Sequence, residues 1–218
     1  MIAALIFDMD GVIFNSEDII AKAGVEFFKK RNIVVDKKEF TPFIGTGEFN
    51  YLNGVAENYN FKIATKDKLE LYKIYKKIAK EELSIYKGII EIINKSKKQN
   101  VKIALATSAD MSKVEINFGI VNYDYKIFDI ITTGTEIKNK KPHPEIFQIT
   151  CSNLNIKPEN SIVIEDSPMG ICAAKKAGCK CFAITNTFDT HYLTDADAIY
   201  SNYDLLMKEI FKQTKNER

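Results

Sequence analysis

The chain has 218 residues, enough for one sizeable domain or a core with a smaller insert, and 45% of them are hydrophobic, so a packed core needs no disulfides. Its 31 lysines and arginines nearly balance 29 aspartates and glutamates, and the lysine runs at 94–98 and 138–141 carry no interleaved aromatics, so they read as solvated faces rather than a nucleic-acid surface. No stretch approaches the roughly 20 apolar residues that cross a bilayer. No basic leader precedes the first apolar run, and nothing calls for an obligate assembly. A cytoplasmic monomer with no nucleic-acid or membrane partner is the expectation.

The first apolar run, residues 2–7 (IAALIF), reads as a buried strand. Residues 16–83 hold no comparable run, and 19–31, 49–59 and 66–82 read as helices. After residue 84 the pattern alternates. Helices are expected at 89–99, 112–118, 145–154 and 169–177, and buried strands at 101–106, 130–132, 162–164 and 181–184. Pro144 and Pro168 fall where helices begin, and Gly178 where one ends. Strand–helix alternation predicts an α/β fold, a Rossmann-like parallel sheet covered on both faces. The interruption predicts a catalytic core from 1–15 and 84–218 and a small helical cap over 16–83. Cys151, Cys172, Cys179 and Cys181 lack metal-ligand spacing and read as small buried hydrophobes kept reduced. His143 and His191 are far apart and lack partners.

Chemistry concentrates where strands end, the edge at which open α/β sheets bind ligands. The first strand runs into Asp8-Met9-Asp10-Gly11. Side chains two apart on an extended chain share a side, and two such carboxylates repel unless a proton or cation separates them. A hard divalent ion such as Mg²⁺ would do so; the alternative is a pair of helix-capping aspartates. Thr107 and Ser108 follow the second strand just before a helix N-terminus, a good place for a phosphate or for an ordinary cap at Ser108 or Asp110. Lys141 sits in a proline-stiffened loop, where it either offsets phosphate charge or is solvated. Glu165 and Asp166 follow a wholly apolar strand, where acidic groups are costly unless they meet a cation. Asp166 suits a metal ligand with Glu165 as its orienting partner, or Asp166 and Ser167 cap the next helix.

These four elements, FDMDGV, ATSAD, KKPHPEIF and IEDSPMGICAAKKAG, resemble in order and spacing the four motifs of the haloacid dehalogenase superfamily. The likeness covers essentially the whole chain. Residues 43–48 (FIGTGE) look like the cap segment of its beta-phosphoglucomutase-like branch. The resemblance implies that Asp8 is the nucleophile and a metal ligand. It implies that Asp10 is the general acid/base and lends its backbone carbonyl to Mg²⁺. Thr107 and Lys141 then bind the transferring phosphoryl group, with Ser108 nearby, Asp166 completes the metal site, and Glu165 stands beside it. Gly45, Thr46 and Glu48 would face the substrate from the cap.

Two positions depart from the mutases of that branch. Ile20 stands where they resemble one another in carrying a histidine, and Glu48 where an arginine grips a distal phosphate. The expectation is therefore a Mg²⁺-dependent phosphatase of a small phosphorylated metabolite, a sugar phosphate among the candidates, working through an aspartyl-phosphate. A hexose-phosphate mutase is the alternative.

Overall fold

Six strands, β1 Ala4–Phe7, β2 Lys102–Ala106, β3 Ile130–Thr132, β4 Ser161–Glu165, β5 Lys180–Ile184 and β6 Ala198–Tyr200, form one sheet in the order β3-β2-β1-β4-β5-β6. All five pairings are parallel. The sheet belongs to a computed structural model that describes residues 2–213. Every residue of β1 and β4 is buried, which is why β1 and the centre of β4, residues 162–164, are apolar without polar alternation.

The register sets the site. Phe7 lies opposite Leu105 on one side and Ile164 on the other. The residues that leave β1, β2 and β4 therefore emerge side by side at one edge of the sheet. Alternation along β1 sends Leu5 and Phe7 into one apolar cluster and Ala4 and Ile6 into another. The first cluster takes in α4 Ile89–Lys98, α5 Met111–Ile120 and α8 Tyr203–Gln213. The second takes in α6 Glu145–Leu154 and α7 Pro168–Ala177, with Cys151, Cys179 and Cys181 buried in it as free thiols. Each large side chain buried this way contributes about 1.5–3 kcal/mol.

Between β1 and α4 stand α1 Glu17–Lys29, α2 Glu48–Glu57 and α3 Thr65–Glu82, plus a 3₁₀ stretch, Lys37–Phe43. They bury a third cluster of their own, around Phe27, Phe28, Leu52 and Tyr75. This layer rests on α5 through Ile116 and Ile120 and through a hydrogen bond from the Tyr75 hydroxyl to Asn117 Oδ1, 2.7 Å. The two segments joining it to the sheet run side by side. Asn15 N–H donates to Ser84 O (3.2 Å), and Ser84 N–H donates to Asn15 Oδ1 (2.7 Å).

The expected strands and helices form with ends shifted by one or two residues. α1 starts earlier than its apolar pattern does, at Glu17, because Ser16 is its N-terminal flank. Several elements were not anticipated, among them one strand, one long helix and the 3₁₀ stretch Lys37–Phe43. β6 is a three-residue, half-buried edge strand, too short for a periodic signal. α8 buries Leu206, Ile210 and Phe211, a helical spacing that the sequence displays. The 3₁₀ stretch is opened by Asp36 and Glu39 acting as a reciprocal cap. Among the described residues no helix is long and apolar enough to cross a membrane.

Candidate active site

β1 carries Asp8 to the sheet edge, where its N–H still bonds Ile164 O at 3.0 Å. The chain then reverses within four residues, with the N–H groups of Ile13 and Phe14 both reaching Met9 O. Gly11 makes this possible. Its φ is +76°, and a Cβ there would lie 1.7 Å from Asp166 Oδ2, so any other residue would be strained and would displace that carboxylate.

At the end of β2, Thr107 Oγ1 accepts from Ala109 N–H at 3.1 Å, and the buried Ser108 hydroxyl has no partner among the described residues. After β4, Ser167 caps α7 by accepting from Gly170 N–H at 3.1 Å, so the capping alternative holds for Ser167 and not for Asp166. Asp166 instead accepts from the Thr187 hydroxyl. Asp8, Asp10, Asp166, Thr107 and Ser108 line one cavity together with Phe43, Ile44, Gly45, Gly47 and Glu48.

Lys141 organises the base of the site. It is 2% exposed, unlike Lys138 in the same lysine run, which is exposed. Its Nζ lies 2.5 Å from Asp8 Oδ1 and 2.6 Å from Glu165 Oε1. Burial opposes its charge, but Asp8 and Glu165 outweigh burial and hold it protonated. The other oxygen of Glu165 accepts from Asp166 N–H, Ser167 N–H and the Ser167 hydroxyl at 3.0–3.1 Å. Glu165 is thus fully engaged in shaping the loop and holding Lys141, and neither residue lines the cavity.

Burial pushes Asp8 up to about 7; Lys141 pulls against this, while Glu165 and Asp10 add to it. Asp166 is raised well above the carboxylate range by burial and by Glu165 and Asp8. The side chains are not gathered into a ligating cluster: among the described residues no three His, Cys, Asp or Glu groups stand together to hold an ion. Asp8 faces Lys141, Asp10 faces Ser16 and Lys113, and Asp166 faces Thr187. The donor chemistry nonetheless fits Mg²⁺. Asp8, Asp10 and Asp166 line the same cavity, all are hard oxygen donors, and the crowding that raises Asp8 and Asp166 is relieved by a divalent cation.

Gly45 and Glu48 border the cavity as the sequence indicates. Thr46 does not line it. Its hydroxyl donates to Phe43 O at 2.6 Å, closing its own turn, and it borders a neighbouring crevice with Asn50 and Lys68. Two cavity residues went unrecognised in the sequence, Glu17 and Lys113. Lys113 is 3% exposed, with Nζ 3.0 Å from Asp10 Oδ2 and 3.3 Å from Glu48 Oε1. The available signal was a lysine one turn into the helix after the Thr107–Asp110 motif, on a face that also buries Asn117.

The packing of the Glu165 loop yields a prediction. A Cβ on Gly170 would sit 1.8 Å from Glu165 Oε1, whereas one on Gly119 meets nothing within 4 Å. Gly170→Ala should therefore displace Glu165, loosen Lys141 and cut turnover by about 10²-fold or more. Gly119→Ala should leave turnover unchanged and raise stability by up to about 1 kcal/mol. Urea melts and rate assays on the two variants check this, and equal activities would contradict it.

Residues 5–184 match the model of the haloacid dehalogenase-like hydrolase family. The Arabidopsis thaliana protein Suppressor of Quenching 1, chloroplastic, is 36% identical over 89% of the chain, which spans only 19% of that protein's length. A phosphorylated carbohydrates phosphatase of Thermotoga maritima is 30% identical, covering 80% of this chain and 81% of that one. The crystal structure of a beta-phosphoglucomutase from Clostridium difficile superposes with a TM-score of 0.84 at 28% identity, covering 100% of this chain and 98% of that one. The chain belongs to the haloacid dehalogenase-like hydrolase family, and the kind of enzyme it represents is a phosphoric monoester hydrolase.

Proposed function

We propose that this chain hydrolyses a small phosphorylated metabolite of the sugar-phosphate kind, in a Mg²⁺-dependent reaction through an aspartyl-phosphate on Asp8. The observation that carries the reading is the placement of Asp8 and Asp10 on one cavity with Thr107 and Ser108, and Lys141 2.5 Å from Asp8. One carboxylate oxygen of Asp8 attacks phosphorus while the bond to the leaving oxygen breaks. Asp10 gives its proton to that oxygen. Asp10 then takes a proton from water, whose oxygen attacks the aspartyl-phosphate, releasing inorganic phosphate and restoring the Asp8 carboxylate.

The Ser16 hydroxyl and Lys113 hold Asp10 in place. Thr107 and Ser108 bind the phosphoryl oxygens from the cavity wall, the unpartnered Ser108 hydroxyl being free to donate, and Lys141, buried behind Asp8, meets the phosphoryl group once Asp8 carries it. Asp8, Asp166 and the Asp10 backbone carbonyl are the donors for Mg²⁺, which when bound offsets charge on the phosphoryl oxygens. Residues 16–83 act as a cap that closes over the site and keeps out bulk water. The four free cysteines suit a reducing compartment such as the cytoplasm, and a site built from one chain suits a monomer.

A mutase must grip a second phosphate. Ile20 and Glu48 at the cavity wall offer no cation for it, which favours hydrolysis. The expected result is phosphate release from an aryl phosphate with Mg²⁺, lost in excess chelator and restored by Mg²⁺. No release under any metal condition would sink the reading. Isomer formed from a hexose phosphate faster than free phosphate, under stimulation by a sugar bisphosphate, would favour the mutase.

A further inference from the structure

We infer that Glu48, held by Lys113, is a specificity-determining residue that reads a hydrogen-bond donor, a hydroxyl or an ammonium, on the leaving alcohol and rejects a second anionic group there. This rests on the phosphatase reading above and specifies the substrate class of the same site.

Glu48 is the first residue of α2, and its carboxylate is 5% exposed. Oε1 faces Lys113 Nζ at 3.3 Å; Oε2 is buried, belongs to a residue lining the cavity, and has no hydrogen-bond partner among the described residues. The Tyr72 hydroxyl and the Glu48 backbone N–H both lie close enough to favour the charged carboxylate, but neither completes a hydrogen bond to Oε2. A buried acceptor without a donor is rare and costly, and the space beside it is where the leaving group must sit once phosphorus is at Asp8.

Charge points the same way. Lys113 is the cation at this end of the cavity and is already shared by Asp10 and Glu48. Glu17 borders the cavity within electrostatic reach of both carboxylates. A phosphate or carboxylate on the leaving alcohol would meet the Glu48 carboxylate, whose partner Lys113 is already engaged, in a site where water does not screen the repulsion. A hydroxyl satisfies Oε2, and an ammonium also offsets the surplus negative charge. Lys113 acts through Glu48 and Asp10 as a positioning residue, joining α5 to α2 across the cleft.

The test uses three phenyl phosphates carrying a meta hydroxymethyl, aminomethyl or carboxylate group, with Mg²⁺. The wild-type chain should favour the hydroxymethyl or aminomethyl compound over the carboxylate by at least about tenfold in kcat/KM, mostly through KM. Glu48→Gln should bring that ratio to within about threefold. So should Glu48→Gln with Lys113→Met, which removes both charges and decides the matter if the single variant fails to fold by circular dichroism. A carboxylate compound turned over as well as the hydroxymethyl one in the wild type overturns the inference, as does a preference that survives in the folded variants. Turnover without preference overturns the inference alone. No turnover of any of the three overturns the phosphatase reading and this inference with it.

Discussion

Replacing Asp8 by asparagine is expected to reduce turnover by about four orders of magnitude or more, because an amide cannot form the phosphoryl-enzyme. The fold should not suffer. Burial, with Glu165 and Asp10 beside it, raises Asp8 to about 7 from an ordinary value of 3.8. A carboxylate raised in this way is disfavoured in the folded chain: its charge costs stability above the unfolded value, and the cost grows until pH passes the folded value. Asp8→Asn removes that cost. In metal-free buffer its Tm should equal or exceed the wild type at pH 8, with the difference closing toward pH 4. A variant that is inactive because it is unfolded, or one that keeps more than about a hundredth of the activity, contradicts this account of Asp8.

Lys141→Met has the second large effect, and it acts on stability as well as rate. The ammonium contacts both Asp8 and Glu165, and Glu165 is fully buried. Removing one partner of a buried ionic group leaves uncompensated charge and costs about 3–5 kcal/mol. Loss of the positive charge beside the transferring phosphoryl group should also lower kcat by about 10²–10³-fold. Adding Glu165→Gln to Lys141→Met should recover part of the stability and none of the rate, since the glutamine needs no counter-charge but cannot replace the ammonium. Urea melts separate the two effects. A Lys141→Met chain within about 1 kcal/mol of wild type would mean that the buried pair is not what holds this loop.

The parts of the site legible in the sequence are those whose signal is local. Asp8 and Asp10 end an apolar run, Asp166 ends another, and Thr107 stands between a strand and a helix, so the parallel-sheet pattern already places all of them at one edge. Lys141 was harder. As one lysine in a run it reads as solvated, and only the order of the four motifs distinguishes it; its burial comes from a loop folding back onto β1 across 133 residues. Glu17 carried no motif, and Lys113 only its place one turn into α5. That both border the cavity depends on where α1 and α5 approach it, a tertiary arrangement. Glu48 was read as a departure with the wrong charge for a phosphate grip, and its pairing with Lys113 explains how a carboxylate is tolerated there. Thr46 lies between Gly45 and Gly47, which do border the cavity, and a turn between them points its hydroxyl back at Phe43.

The most direct test of the central claim is to trap the phosphoryl-enzyme during turnover, reduce it with borohydride and sequence the chain. A phosphorylated aspartate is converted to homoserine, so homoserine at position 8 and nowhere else is the predicted result, absent when substrate is withheld. Phosphate release continuing at full rate with Asp8 unmodified, or homoserine at Asp10 or Asp166 instead, would contradict the assignment of Asp8 as the nucleophile.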